Sequence, residues 1–409
     1  MDCPDHIGPV MTDATTEWDS KLSERSRNMK PSFIREILKF TQMPDVISFA
    51  GGLPAPEMFP VREFEEACAH VLRNAGETAL QYSPTEGFLP LKEALAEKMN
   101  KYKIACEPHN ILLTNGSQQA LDLLGSVFID PGDVIVTGKP TYIGALQAFK
   151  VYSPRIIGVP VDEEGMQVDA LEEILKRETP KFIYVLPNFH NPMGVTVTLE
   201  RRVKLIKLAA EHGIPIVEDD PYGELRFEGE DIPPISALHK ENVIYLSTFS
   251  KILAPGIRLG WVLGPQAVVR RMVLAKQAND LHTGTFVQMI THDIMKRGIL
   301  RAHSKELRKV YGERRHTMTC AMEEFFPEGV RWTKPEGGLF MWVITPEHIS
   351  TMDLIDKAVE QKVAFVPGTV FYPDGDGLNT MRLNFSNARP EMIREGVKRL
   401  GKTLADAIG

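Results

Sequence analysis

Cysteine is scarce in this chain and widely scattered. Cys3, Cys68, Cys106 and Cys320 form neither a CxxC pair nor a dense framework, which excludes a disulfide scaffold and reads as reduced thiols in a cytoplasmic protein. A basic surplus is missing too: 54 acidic residues against 47 basic ones leave a net charge of −7, so no positive field is available to hold nucleic acid. No apolar run approaches the roughly 18 residues that a membrane span needs. The opening MDCPDHIGPVMTDATTEWDS is acidic and lacks the apolar core of a secretory signal; residues 1–20 read as a flexible arm. There is no HExxH and no histidine cluster, so no metal ligand is assigned. What remains is an ordinary soluble composition, 43% hydrophobic and 25% charged. A length of 409 residues suits one large domain with a smaller companion, because single cores stop growing at about 250–300 residues.

The order of segments points to an α/β fold. PSFIREILKF over 31–40 has Phe33, Ile34, Ile37 and Leu38 at helical spacing. From about 61 to 265, helical stretches such as LERRVKLIKLAAEHG separate the short apolar runs VIVTG, FIYVLP, IPIVED, VIYLST and LGWVLG. Strands apolar on both faces and separated by helices predict a mostly parallel sheet flanked by helices. Further on, LRAHSKELRKVYGERRHTMTCAMEEFF predicts a long connecting helix. The strand-like GGLFMWV, VAFVPG and TMRLNFS then precede a final helix near 391–405, together a smaller α+β domain. The expected divisions are residues 21–60, a segment joining the small domain, 61–297, the large domain, and 298–409, the small C-terminal domain.

Ligands of open α/β sheets collect at the carboxyl ends of strands, and several polar clusters fall there. TNGSQQALDLLGSVF sets Gly116, Ser117 and Gln118 at the start of a helix, where free N–H groups favour an anion; taken alone, Ser117 is a helix cap. Asn191 in NFHNPMG is, alone, part of a turn. Asp219 and Tyr222 in EDDPYG have a bland reading as a capped loop. GDVIVTGKP imitates a phosphate-binding P-loop, but five residues separate Gly132 from Gly138 where four are required, and Pro140 stands where a hydroxyl must bind magnesium. In STFSKILAPGIRLGW, Lys251 stands near Thr248 and Ser250 and seven residues before Arg258. Such a lysine is poorly solvated and tends to lose its proton.

One cofactor asks for all of these at once. Pyridoxal phosphate needs an amine for its aldehyde, an anion site for its phosphate, a carboxylate for its ring nitrogen and donors for its phenolate oxygen. Lys251, the Ser117–Gln118 helix start with Arg258, Asp219, and Asn191 with Tyr222 supply that set.

With ISFAGGLPAPEMFP, ALQYSPTEG, GSQQALDL, NPMG, EDDPYGEL, SKILAPGIRLGW, KPEGGLFMW and MRLNFS, nearly the whole chain resembles the fold-type I pyridoxal-phosphate aminotransferases of class I/II. Within them it is most similar to the 2-aminoadipate/kynurenine and bacterial lysine-biosynthesis group. The resemblance implies that Lys251 links to the cofactor and moves protons at the substrate α-carbon. It implies that Asp219 keeps the ring nitrogen protonated, that Asn191 and Tyr222 bind the phenolate oxygen, and that Tyr142 stacks on the ring. Gly116, Ser117, Gln118, Thr248, Ser250 and Arg258 would surround the phosphate; Thr248 replaces a common serine but keeps its hydroxyl. Tyr82 matches a tyrosine that reaches the neighbouring subunit's phosphate, which implies a homodimer with shared sites; otherwise it is a locally packed loop residue. Arg382 matches the clamp on the substrate α-carboxylate, and Gly52 would let the backbone approach the substrate.

Arg35 has two readings. Its match in the aminoadipate-type relatives reaches a distal carboxylate, yet here it lies opposite the apolar stripe, as a solvated charge would. The expected activity is a cytoplasmic, ping-pong transfer of an amino group between an L-amino acid (2-aminoadipate, aromatic or large aliphatic) and 2-oxoglutarate. Two alternatives keep most of these residues: a pyridoxal lyase or decarboxylase, and the effector-binding half of a transcription regulator. About thirty non-basic residues precede the first helix, too few for a helix-turn-helix module.

Overall fold

The computed structural model describes residues 18–27, 29, 43, 45–239 and 241–409. The helix expected over 31–40, and Arg35 with it, lies outside these residues.

Eight strands form the central sheet: Ile111–Thr114 (β1), Val134–Lys139 (β2), Arg155–Asp162 (β3), Gly165–Met166 (β4), Ile183–Val185 (β5), Ile216–Asp219 (β6), Val243–Thr248 (β7) and Gly260–Leu263 (β8). Their spatial order is β1-β8-β7-β6-β5-β2-β3-β4. The neighbours from β3 through β2, β5 and β6 to β7 are parallel. β8 runs antiparallel to β1 and β7, and β4 folds back on β3. Successive side chains point to opposite faces of a strand, so a run apolar at every position needs cover on both sides. Val217 packs in a core with Leu124, Phe149 and Tyr184, while its neighbour Ile216 packs in another with Leu205 and Leu171. Helices Gly116–Phe128, Ile143–Lys150 and Gln266–Asn279 supply the first core, Val168–Leu175 and Leu199–Glu211 the second. The five apolar runs picked out in the sequence are β2 and β5 to β8. β3 escaped notice because RIIGVPVD is exposed at Arg155 and Pro160 and lacks a continuous apolar run.

The long helix Ile299–Phe325 buries Leu300, Leu307, Tyr311, Met318 and Met322 along one stripe and packs against the terminal helix Pro390–Ile408. Beside them, Phe340–Ile344 pairs antiparallel with Arg331–Trp332 and Thr380–Asn384, and Thr380–Asn384 pairs also with Val366–Pro367. Ile47–Ser48 runs parallel to Val363–Ala364, so the chain before the large sheet is stitched to the chain after it. That stitch brings Ala50 and Gly52 over the carboxyl edge of the large sheet. Among the described residues, no helix is long and apolar enough to cross a membrane.

Candidate active site

A cleft of about 360 Å³ opens at the carboxyl edge of the parallel strands, and Ser117, Tyr142, Asn191, Asp219, Tyr222, Lys251, Arg258 and Arg382 all face it. The strands explain the gathering. Ser117 and Gln118 follow β1, Tyr142 follows β2, Asn191 lies beyond β5, Asp219 ends β6 and Thr248 ends β7. Arg382 and Phe340 come from the small sheet and close the other side.

Lys251 donates from Nζ to the Gly52 carbonyl at 2.8 Å. Burial, then the positive charges of Arg382 and Arg258, push its ammonium down to about 8, so a useful fraction is a neutral amine near physiological pH. No salt bridge among the described residues involves Lys251. A Cβ added at Gly52 would come within 3.2 Å of Phe340 Cζ, a tight contact that the ring would have to relieve.

Asp219 is 1% exposed. Its Oδ2 accepts a hydrogen bond from the Tyr184 hydroxyl at 2.7 Å, while its buried Oδ1 has no partner among the described residues. Burial pushes the carboxyl up to about 7, against the stabilising Tyr184 bond and with a further rise from Asp220. A buried oxygen without a donor is costly, and a protonated ring nitrogen is the kind of donor that would satisfy it. Asp220 does not share this role. Its carboxylate accepts from Asn188 at 3.0 Å, Tyr245 at 3.2 Å and the Gly223 N–H at 2.9 Å.

Arg382 is 2% exposed. It donates to Asn191 Oδ1 at 2.9 Å and to the Ala50 carbonyl at 2.7 Å, and its Nε is left without a partner. Its guanidinium lies 4.2 Å from the centre of the Phe340 ring and 4.9 Å from that of Phe371. Burial lowers its pKa to about 10, and no carboxylate among the described residues pairs with it. A buried, unpaired guanidinium on two aromatic faces is a site for an incoming carboxylate. Tyr222, 3% exposed, hydrogen-bonds the Asn191 side chain, and burial holds its phenol far above its ordinary value.

The anion site is built at the start of helix Gly116–Phe128, which carries no side-chain cap and no acidic residue in its first turn. Ser117 therefore is not the cap that its position alone suggested. Gly116 has φ +74°, a backbone conformation that favours glycine, and a Cβ there would meet Arg258 Nη2 at 2.7 Å, which lies beside the start of this helix. Thr248 Oγ1 donates to Ser250 Oγ at 2.9 Å or to the Leu259 carbonyl at 3.1 Å, and accepts the Ser250 N–H at 3.1 Å. Gln118 donates to the Gly144 carbonyl at 2.9 Å, and the Tyr142 hydroxyl approaches Gln118 Oε1 at 3.4 Å. Burial pushes Tyr142 up to about 12, so it stays neutral. Amine, lone acceptor, phenolic donors and anion cradle thus share one cleft, and these residues fit pyridoxal 5′-phosphate. Among the described residues no acidic or histidine cluster could hold a metal ion.

Tyr82 does not line the cleft. It is 78% exposed in the single chain, with its ring edge-on to His282 at 5.7 Å. The sequence reading missed Tyr184, Phe340, Leu186 and Gln147. Tyr184 alone carried a signal, a hydroxyl in an otherwise apolar strand beside the one that ends in Asp219.

Comparison with known proteins agrees with this geometry. Residues 45–400 match the family model for aminotransferase class I and II. The chain is 49% identical to the aromatic-amino-acid aminotransferase 1 of Thermococcus litoralis, over 96% of each chain. It superposes on the kynurenine aminotransferase of Pyrococcus horikoshii, solved with PMP, with TM-score 0.93 and 45% identity, covering 96% of this chain and 99% of that one. The α-aminoadipate aminotransferase LysN of Thermus thermophilus, solved with N-(5'-phosphopyridoxyl)-L-leucine, gives TM-score 0.91 and 42% identity over 96% and 99%. The fold is that of a fold-type I transferase, and the chain belongs to the aminotransferase class I and II family.

Proposed function

We propose that the protein moves the amino group of aromatic, 2-aminoadipate-type and large aliphatic L-amino acids to a 2-oxo acid, with 2-oxoglutarate as acceptor, in a ping-pong cycle. The cofactor is pyridoxal 5′-phosphate. The observation that carries the reading is the gathering, in one cleft, of the buried Lys251 amine, a buried carboxylate with one oxygen lacking a donor and a buried guanidinium lacking an acid among the described residues. The relatives' names supply the substrate classes: aromatic amino acids, kynurenine and α-aminoadipate.

When bound, pyridoxal 5′-phosphate supplies an electron sink for the pair left at the substrate α-carbon. Ser117, Gln118, Thr248, Ser250 and Arg258 would hold its phosphate, with Gly116 giving the backbone turn. Tyr142 would cover the ring, and Asn191 and Tyr222 would bind the phenolate oxygen. Asp219 Oδ1 would accept from the ring nitrogen and keep a proton there. Arg382 would take the α-carboxylate, trading its Ala50 and Asn191 contacts for a bidentate pair. Anchored there, the substrate would present its α-hydrogen to Lys251 Nζ, the base that would take that proton from the α-carbon and carry it. Gly52 leaves room for this exchange.

The remaining features belong to the same proposal. The exposure of Tyr82 supports a homodimer in which it is covered and reaches the partner's phosphate. The expected divisions at 20, 60 and 297 and a cytoplasmic location stand as part of this reading, and Arg35 is proposed to read distal carboxylates.

A panel of amino donors assayed with 2-oxoglutarate tests the reading, together with absorbance of the enzyme after amino acid alone. The expected result is conversion to the pyridoxamine form without acceptor, and turnover of aromatic and aminoadipate donors. Arg35→Ala should raise KM for 2-aminoadipate and glutamate and spare phenylalanine. Carbon dioxide release or elimination without amine transfer would overturn the proposal.

A further inference from the structure

Tyr184 has no role in the chemistry so far, yet among the described residues it is the sole hydrogen-bond partner of the Asp219 carboxyl. It sits on β5 opposite Val217 of β6. Two residues on, Asp219 presents its side chain to the same face. The hydroxyl thus meets Asp219 Oδ2 at 2.7 Å, with Tyr184 itself 0% exposed. Its ring is wedged edge-on against Phe149 at 5.7 Å, so the hydroxyl has little freedom to leave. A carboxylate held by one oxygen has one rotation left to it, and here the bond leaves Oδ1 as the oxygen without a donor.

We propose that Tyr184 is a positioning residue of the active site: its hydroxyl fixes the rotation of the Asp219 carboxyl and favours its ionised form, presenting Oδ1 as acceptor to the cofactor's ring nitrogen. This rests on the reading of the cleft given above. The need for such a device follows from the surroundings. Asp219 is faced by the neutral phenols Tyr142 and Tyr222, and it feels the charge of Asp220, the next residue, from the other side of the strand. Lys251, Arg258 and Arg382 line the same cleft without a salt bridge to it. Burial and Asp220 drive the carboxyl toward protonation, and the Tyr184 bond opposes them. A protonated Asp219 would offer the ring nitrogen a donor in place of a charge, and the electron sink would weaken.

The experiment uses Tyr184→Phe, which keeps the ring and its packing, and 3-fluorotyrosine at the same position as a second, more acidic donor. In cofactor-free protein, the Asp219 carboxyl titration is followed by carbon NMR of labelled aspartate. Losing a hydrogen bond that favours the charged form raises the pKa, so the midpoint should move up by about one to two pH units in Tyr184→Phe. The fluorinated phenol should move it down. Pyridoxal 5′-phosphate affinity should then match that of the natural protein near pH 10, where Asp219 is ionised in both, and be weaker by about tenfold or more near pH 6. A lesion of packing alone would weaken affinity equally at every pH and would overturn the proposal, as would an Asp219 midpoint unmoved in both variants. If the natural protein took up no pyridoxal 5′-phosphate at any pH, the reading of the cleft would fail, while the aspartate titration would still decide the role of Tyr184.

Discussion

Strand β6 ends in Glu218 and Asp219, Asp220 follows it, and the two faces of this acidic run meet opposite fates. On the side away from the cleft, Glu218 is 0% exposed and accepts the Ile235 and Ser236 N–H groups at 2.8 Å each. Asp220 is held by three donors. Behind them Arg202 donates to the carbonyls of Val197, Pro233 and Pro187 and to Asn188 Oδ1. On the cleft side, among the described residues, Asp219 has one donor for two oxygens and the Arg382 Nε has no partner, whereas every guanidinium nitrogen of Arg202 is bonded. Both regions are buried and charged. In the rear one the fold satisfies its own charges. In the front one it leaves them wanting, which stability alone would not favour and which a ligand can repair.

The comparison can be broken by exchanging the faces. The largest effect is expected for Lys251→Ala, which should lose turnover by about 10⁴-fold or more, because both the cofactor link and the proton carrier go. Borohydride trapping followed by peptide mapping should locate the cofactor at Lys251 in the natural protein and nowhere in the variant. Robust transamination by Lys251→Ala would end the assignment.

Asp219→Asn should reduce kcat by about 10²–10³-fold with little loss of thermal stability, since the amide relieves a buried charge. Its counterpart Asp220→Asn should do the reverse. Removing an acid that three donors share should cost about 1–3 kcal/mol of folding stability and leave kcat within a few-fold. Denaturant melts beside steady-state rates would separate the pair, and equal kinetic damage from both would erase the distinction between the faces.

Arg382→Ala should weaken every donor amino acid, visible as a rise in KM of about tenfold or more, because all donors share the α-carboxylate. Tyr82→Phe should have the smallest effect. Loss of a hydrogen bond to a phosphate, worth about 1.5–3 kcal/mol, should appear as faster cofactor release with near-normal kcat in excess cofactor. Light scattering that found a fully active monomer would remove the reason for it.

pH offers a further check on the front face. Lys251 is pushed down to about 8 from the usual lysine value, so in cofactor-free protein its neutral fraction should rise through pH 8 and plateau above about 9. Reductive methylation of Lys251, read by mass spectrometry across pH, should follow that curve. Ordinary surface lysines should still be gaining reactivity at pH 10. A Lys251 profile coincident with theirs would show that the cleft does not desolvate it.

The sequence alone was enough for the layer architecture, the positions of five of the eight large-sheet strands and the residues that gather at their ends. Both kinds of signal are local: an apolar run reports burial on two faces, and a polar residue at its end reports the edge of the sheet. Only the tertiary structure showed why Asp219 rather than its neighbours faces the cleft, because that depends on the pleat of β6 and on which neighbours bring donors. It also decided that Tyr184, 35 residues before Asp219, is its partner, and that Ser117 caps nothing. Likewise it showed that Arg382, a lone cation in MRLNFS, lies between two aromatic rings with no acid to answer it. Whether a charge is satisfied is a property of the atoms around it, and those come from strands that the sequence keeps far apart.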